Sequence, residues 1–184
     1  MVGFVGRWLS DALRIGASLA VGLAAMQLPA VAHQYGAALL QIAEDGRRDI
    51  EQRKASARHF YPTMGETDED VITGLRPVEP SNAQALAASV ERARVFRAAY
   101  DRLEATAPLM RPVTAAIDAV DNAQQDKQAV LWTALKTHVP EVLLSTAAAI
   151  YGLAGLVVGS FMAEVLLSAV GALVGRRSSR QFAR

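Results

Sequence analysis

A chain of 184 residues, 52% hydrophobic but only 6% aromatic, draws its apolar content mostly from Ala, Leu and Val, which is a helical and not a β-sandwich composition. Nineteen Lys and Arg against eighteen Asp and Glu leave a formal charge of +1, without the broad phosphate attraction that nucleic-acid binding requires. The absence of cysteine excludes disulfides, thiolate nucleophiles and cysteine-ligated zinc or iron–sulfur centres.

The apolar residues gather at the two ends of the chain. Residues 1–32 read as an amphipathic segment carrying Arg7, Asp11 and Arg14 that leads into a first transmembrane helix. Ile15 to Ala32 is 18 residues without a charge, near the ~20 that cross a bilayer core. The same stretch has a signal-like alternative, because Ala30-Val31-Ala32 fits a small-x-small cleavage site. Cleavage after Ala32 would leave a protein anchored only by its C-terminal helix. The apolar residues that precede Arg14 favour a retained anchor.

Residues 33–138 form the polar middle. His33 to Arg58 reads as a helix with apolar positions at Tyr35, Leu39, Ile42, Ile50 and Ala57. Residues 61–80 contain Pro62, Gly65, Gly74, Pro77 and Pro80 and read as a loop with at most one short turn. Ser81 and Gln84 read as a capping box opening the best-defined helix, which runs through Leu86, Val90, Ala93, Phe96, Tyr100 and Leu103. Pro108 ends it. Pro112, Val113, Ile117 and Val120 begin a third helix, broken near 122–126 before Val130, Leu131 and Leu135 lead to Pro140. These stripes are narrow and rich in alanine, so the core they form is expected to be completed by self-association or by a partner.

Residues 139–175 carry the second transmembrane helix, where Val142 to Ala163 is 22 residues without a charge, and 176–184 form a basic tail with Arg176, Arg177, Arg180 and Arg184. Basic residues at both termini predict that both ends are cytoplasmic. The central segment, with thirteen Lys and Arg against fifteen Asp and Glu, is then extracytoplasmic, in the periplasm of a Gram-negative cell.

Chemistry-bearing constellations are sparse. No Gly-x-Ser-x-Gly elbow, phosphate-cradling loop or dinucleotide fingerprint occurs, which points away from an enzyme. His33 and His138 would lie near one membrane surface, but their spacing gives no haem or metal signature. Asp68, Glu69 and Asp70 lack the spacing of a calcium loop and read as solvated. No cofactor, metal or small-molecule substrate is expected.

The informative positions are small or charged residues in the spans. Gly155, Gly159 and Ala163 recur every four residues, as do Gly16, Ala20 and Ala24, a period that lets helix backbones approach closely, so these faces could dock the two spans on each other or on a foreign helix. Glu164 falls at the level of Arg7 and Arg14, and a pairing with one of them would fix the register of the two spans. Trp8, Trp132 and Tyr35 read as interfacial belt residues.

Several segments resemble a bacterial inner-membrane family of unknown function in which two transmembrane helices flank a helical periplasmic region. They are Gln27-Leu28-Pro29 followed by His33-Gln34-Tyr35, then Arg111-Pro112, and the run Trp132 to Pro140 with Gly152, Gly155 and Gly159 behind it. The resemblance implies location and topology but no activity.

The expected fold is all-α: two antiparallel transmembrane helices with an extracytoplasmic helical hairpin or small bundle. The expected role is a non-enzymatic structural or accessory subunit, in the bilayer, bound to another membrane protein or to itself. A homo-oligomeric pore is the alternative, with Ser145, Thr146, Ser160 and Ser168 as its few polar lining candidates.

Overall fold

The computed structural model describes residues 2–120, 125–140 and 145–181, with side chains described up to residue 169 except those of Val2, Gly3, Val5 and Gln125. Part of the expected break near 122–126, and the basic tail with Arg176, Arg177, Arg180 and Arg184, therefore lie outside the described side chains. The described residues form seven α-helices and no strand: α1 (Val2–Met26), α2 (Leu28–Phe60), α3 (Asp68–Leu75), α4 (Pro80–Ala105), α5 (Arg111–Val120), α6 (Gln125–Thr137) and α7 (Thr146–Gln181).

The helix boundaries follow local chemistry. Pro29 has no N–H to donate to the carbonyl of Ala25, so the helical ladder is interrupted just before it, and Gln27 N–H bonds Ala24 O at 3.1 Å in a tighter turn. The first apolar stretch is thus α1 followed by the opening of α2, not one uninterrupted helix. Residues 61–80 are more ordered than their prolines and glycines suggest. Thr67 Oγ1 accepts from Asp70 N–H at 3.1 Å and Asp70 Oδ2 accepts from Thr67 N–H, a reciprocal cap that starts α3 on the acidic run. Conversely, the Ser81–Gln84 box does not form. Pro80 occupies the first turn of α4, where its missing N–H costs nothing, and no side chain caps Glu79.

The chain divides into two compact units, residues 1–30 with 139–184, and residues 31–138. In the first, α1 packs along α7. Two segments are long and apolar enough to cross a membrane, Gly6–Phe60 and Thr146–Ala169. The contacts run in opposite sequence order on the two helices: Gly152 lies against Met26, Gly155 against Ala25 and Val21, Gly159 against Ser18, and Glu164 against Arg14.

In the second unit α2 and α4 pack in opposite sequence order, with α3 covering one end and α5 and α6 the other. One cluster joins Ala32, Tyr35, Leu39 and Ala43 of α2 to Phe96, Ala99 and Leu103 of α4, Ala115 of α5 and Ala134 of α6. The other joins Ile50 and Ala57 to Val71, Leu75, Ala83 and Leu86. Tyr35, Phe96, Leu39, Leu75, Leu86 and Val71 are fully buried. The stripes thus bury two clusters within the unit itself. The alanines let the helices approach, and a few large side chains fill the space between them.

Candidate functional site

The seam of the first unit is built from small residues. Ala148, Gly152, Gly155, Gly159 and Ala163 recur at steps of three and four on α7, and all are buried. A Cβ added at Gly155 would stand 2.6 Å from Ala25 Cβ and 2.9 Å from Val21 O; one at Gly159 would stand 2.9 Å from Ser18 Cα. Both conflicts involve atoms fixed to the α1 backbone, so only glycine permits this approach.

Of the two docking directions open to the Gly16, Ala20 and Ala24 stripe, α7 is not the one it takes here. Gly16, Ala20 and Ala24 are exposed, and the space beside Gly16 is open. Arg14, Ser18 and Gly22 face α7, with Val21 and Ala25 beside them. Both stripes have a four-residue period, and small size alone does not tell which of them meets α7. Ser18, a polar residue in an apolar helix, marks the covered face because its hydroxyl needs a partner.

Ser18 Oγ and Ser160 Oγ lie 2.8 Å apart across the seam, and each hydroxyl also lies close to a carbonyl of its own helix, Arg14 O at 2.8 Å and Leu156 O at 2.9 Å. Each hydroxyl has a single hydrogen, so one donates across the seam while the other donates to its own helix. At one end of the seam Glu164 Oε2 pairs with Arg14 Nη2 at 2.6 Å, and Arg14 also faces Asp11 at 3.6 Å. Arg7 is exposed and takes part in no ion pair among the described residues.

Leu156 and Met26 pack into the seam against Gly22 and Gly152, and most other large side chains of the two helices point away from it. Leu13, Ile15, Leu19 and Leu23 on α1, and Leu153, Val157, Phe161 and Leu166 on α7, are all more than half exposed.

The second unit holds a buried polar cluster that sequence reading missed. Asp118 on α5 accepts from Tyr35 Oη on α2 at 2.9 Å, Arg102 Nη2 on α4 at 2.8 Å and Lys127 Nζ on α6 at 2.9 Å. Four helices therefore meet at one carboxylate. The side chains of Asp118 and Lys127 are only 12% and 7% exposed. Tyr35 is completely buried, which corrects its assignment to an interfacial belt. Burial, then the bond to Asp118 and its charge, push the Tyr35 phenol well above the ordinary tyrosine range. The missed signal was a lone acid in the apolar α5, at helical spacing from the buried Ala115.

A smaller cluster ties α2 to α3. Buried Lys54 bonds Asp68 Oδ1 at 2.7 Å and Glu51 Oε1 at 3.1 Å, and the bond to Asp68, against the cost of burial, raises its pKa above the usual lysine value. Tyr61 Oη donates to Glu79 Oε1 at 2.8 Å.

Among the histidines, His33 and His59 are exposed, and His138 Nδ1 lies 3.1 Å from Gln34 Oε1. No group of three or more metal-binding side chains occurs among the described residues.

These features define an all-helical protein with two helices long and apolar enough to span a membrane, and a second unit that holds a buried ion pair. Residues 9–176 match the family model described as Protein of unknown function (DUF2937), and the chain belongs to that family. Neither a curated protein nor a solved structure matches it.

Proposed function

We propose that this is an integral membrane protein of the bacterial inner membrane, acting as a non-enzymatic structural or accessory subunit of another membrane protein. α1 and α7 form an antiparallel transmembrane pair, both termini are cytoplasmic, and residues 31–138 form a periplasmic helical domain. The observation that carries this reading is the inverted polarity of the first unit: glycine, alanine and Ser18 line the seam, the Arg14–Glu164 pair lies partly exposed at its end, and leucine, valine and phenylalanine face outward. Water would oppose that arrangement, whereas hydrocarbon favours it.

The accessory role rests on what the seam leaves uncovered. Gly16, Ala20 and Ala24 lie on a part of α1 that α7 does not cover, where a foreign helix could approach closely. The pore alternative has little to line a channel, since Ser160 already bonds Ser18. Extraction of the native membrane in mild detergent, followed by sizing and mass spectrometry, tests this. A defined foreign membrane protein is expected to co-purify. A lone homo-oligomer would overturn the accessory role and favour a scaffold or pore.

A further inference from the structure

The outward side of α5 consists of Val113, Ala116, Ile117 and Val120, without a charge, although its inward side already packs Ala115 and Ala119 in the core. A surface helix of a soluble domain puts polar residues on that side, so this face is built to be covered. Trp132 and Leu135 of α6 continue it, 60% and 42% exposed, with Lys136 Nζ 5.8 Å from the Trp132 ring centre. None of these outward positions holds an acid.

The position of the patch within its own unit identifies what covers it. Asp118 of α5 bonds Tyr35, only four residues from Val31, where α2 enters the unit, or about 6 Å at about 1.5 Å per residue. α6 ends one residue before His138, where the chain leaves the unit, and His138 lies against Gln34. α5 and α6 thus sit at the end of the unit from which both chain segments pass to the spans. The cluster around Ile50 and Leu86 lies at the opposite end. An uncharged face with a tryptophan and a lysine, at this end, matches the headgroup and acyl boundary of a bilayer.

We infer that α5 and α6 form an amphipathic foot that rests on the outer surface of the bilayer, with Val113, Ile117, Val120, Trp132 and Leu135 embedded and Lys136 reaching lipid phosphates. This rests on the transmembrane reading of α1 and α7. The chain has two tryptophans, so in the full-length Trp8→Phe variant Trp132 is the sole reporter. That variant is reconstituted into phosphatidylcholine–phosphatidylglycerol vesicles with and without lipids brominated near the headgroup end of the acyl chains. Trp132 emission is expected to fall roughly twofold or more with brominated lipid and to resist aqueous acrylamide. No quenching by brominated lipid overturns the inference: acrylamide access would mean a face open to water, and protection from both quenchers a face covered by protein. A second variant, Phe161→Trp with both native tryptophans changed to Phe, reports on the span. Quenching of that reporter without quenching of Trp132 sinks only the foot, and failure of both sinks the transmembrane reading as well.

Discussion

Replacing Asp118 by alanine removes one acceptor from three donors, and the structure indicates which losses matter. Arg102 is 63% exposed and rehydrates, so its bond at 2.8 Å contributes little net stability. Lys127 is 7% exposed and Tyr35 is completely buried, so neither donor can turn to water without opening the core. Breaking a buried pair by deleting one partner costs about 3–5 kcal/mol. The stranded phenol adds to the same disruption, so the whole change is expected to cost about 3–5 kcal/mol and not the sum of its parts. A domain stability of about 5–15 kcal/mol makes this a large fraction. The assay is reversible urea unfolding of the full chain in mild detergent, followed by Trp132 emission in the Trp8→Phe background. Because the cost comes from stranding Lys127, Asp118→Ala in a Lys127→Met background should cost about 2 kcal/mol less than it does alone. An Asp118→Ala loss within about 0.5 kcal/mol of zero, or an equal loss in both backgrounds, would refute a buried keystone pair.

Other changes probe the seam and the pH dependence. Gly155→Leu should separate α1 from α7, read as loss of disulfide trapping between cysteines placed at Ser18 and Ser160, whose side-chain oxygens lie 2.8 Å apart, whereas Gly16→Leu should leave trapping unchanged because the space there is open. Glu164→Gln should weaken the same pairing by about 1 kcal/mol, in the range of polar contacts between membrane helices; unchanged trapping yield under competition would remove the ion pair from the account. Tyr35 and Lys54 both have raised values in the folded protein, so their contribution is complete below the ordinary values of 10.0 and 10.5 and is lost as pH rises through the folded values. Urea midpoints should therefore hold through neutral pH and fall only in strong alkali, and less steeply in Tyr35→Phe. A midpoint that falls between pH 7 and 9 would contradict this.

Residues defined by one-dimensional patterns were legible in the sequence. The two uncharged runs and the glycine stripe of α7 need only composition and period, and Glu164 opposite Arg14 needs only a count along two helices. Choosing the covered face of α1 required knowing which of two equally spaced stripes meets α7, and a four-residue period is silent on that. Tyr35 shows a related limit: beside a span it resembles an interfacial anchor until Asp118, 83 residues away, is brought to its hydroxyl. The helix α3 was hidden for a local reason, because its cap uses Thr67 and Asp70 in a segment dominated by helix breakers.

The most direct test of the two-span account exploits the absence of cysteine. Single cysteines at Gly6, Gln52 and Phe161, all exposed positions, are probed with a membrane-impermeant maleimide in intact spheroplasts and after lysis. Gln52→Cys should label in intact spheroplasts, Gly6→Cys only after lysis, and Phe161→Cys only after the bilayer is dissolved. Labelling of Gly6→Cys and Gln52→Cys together in intact spheroplasts, or free labelling of Phe161→Cys, would contradict it.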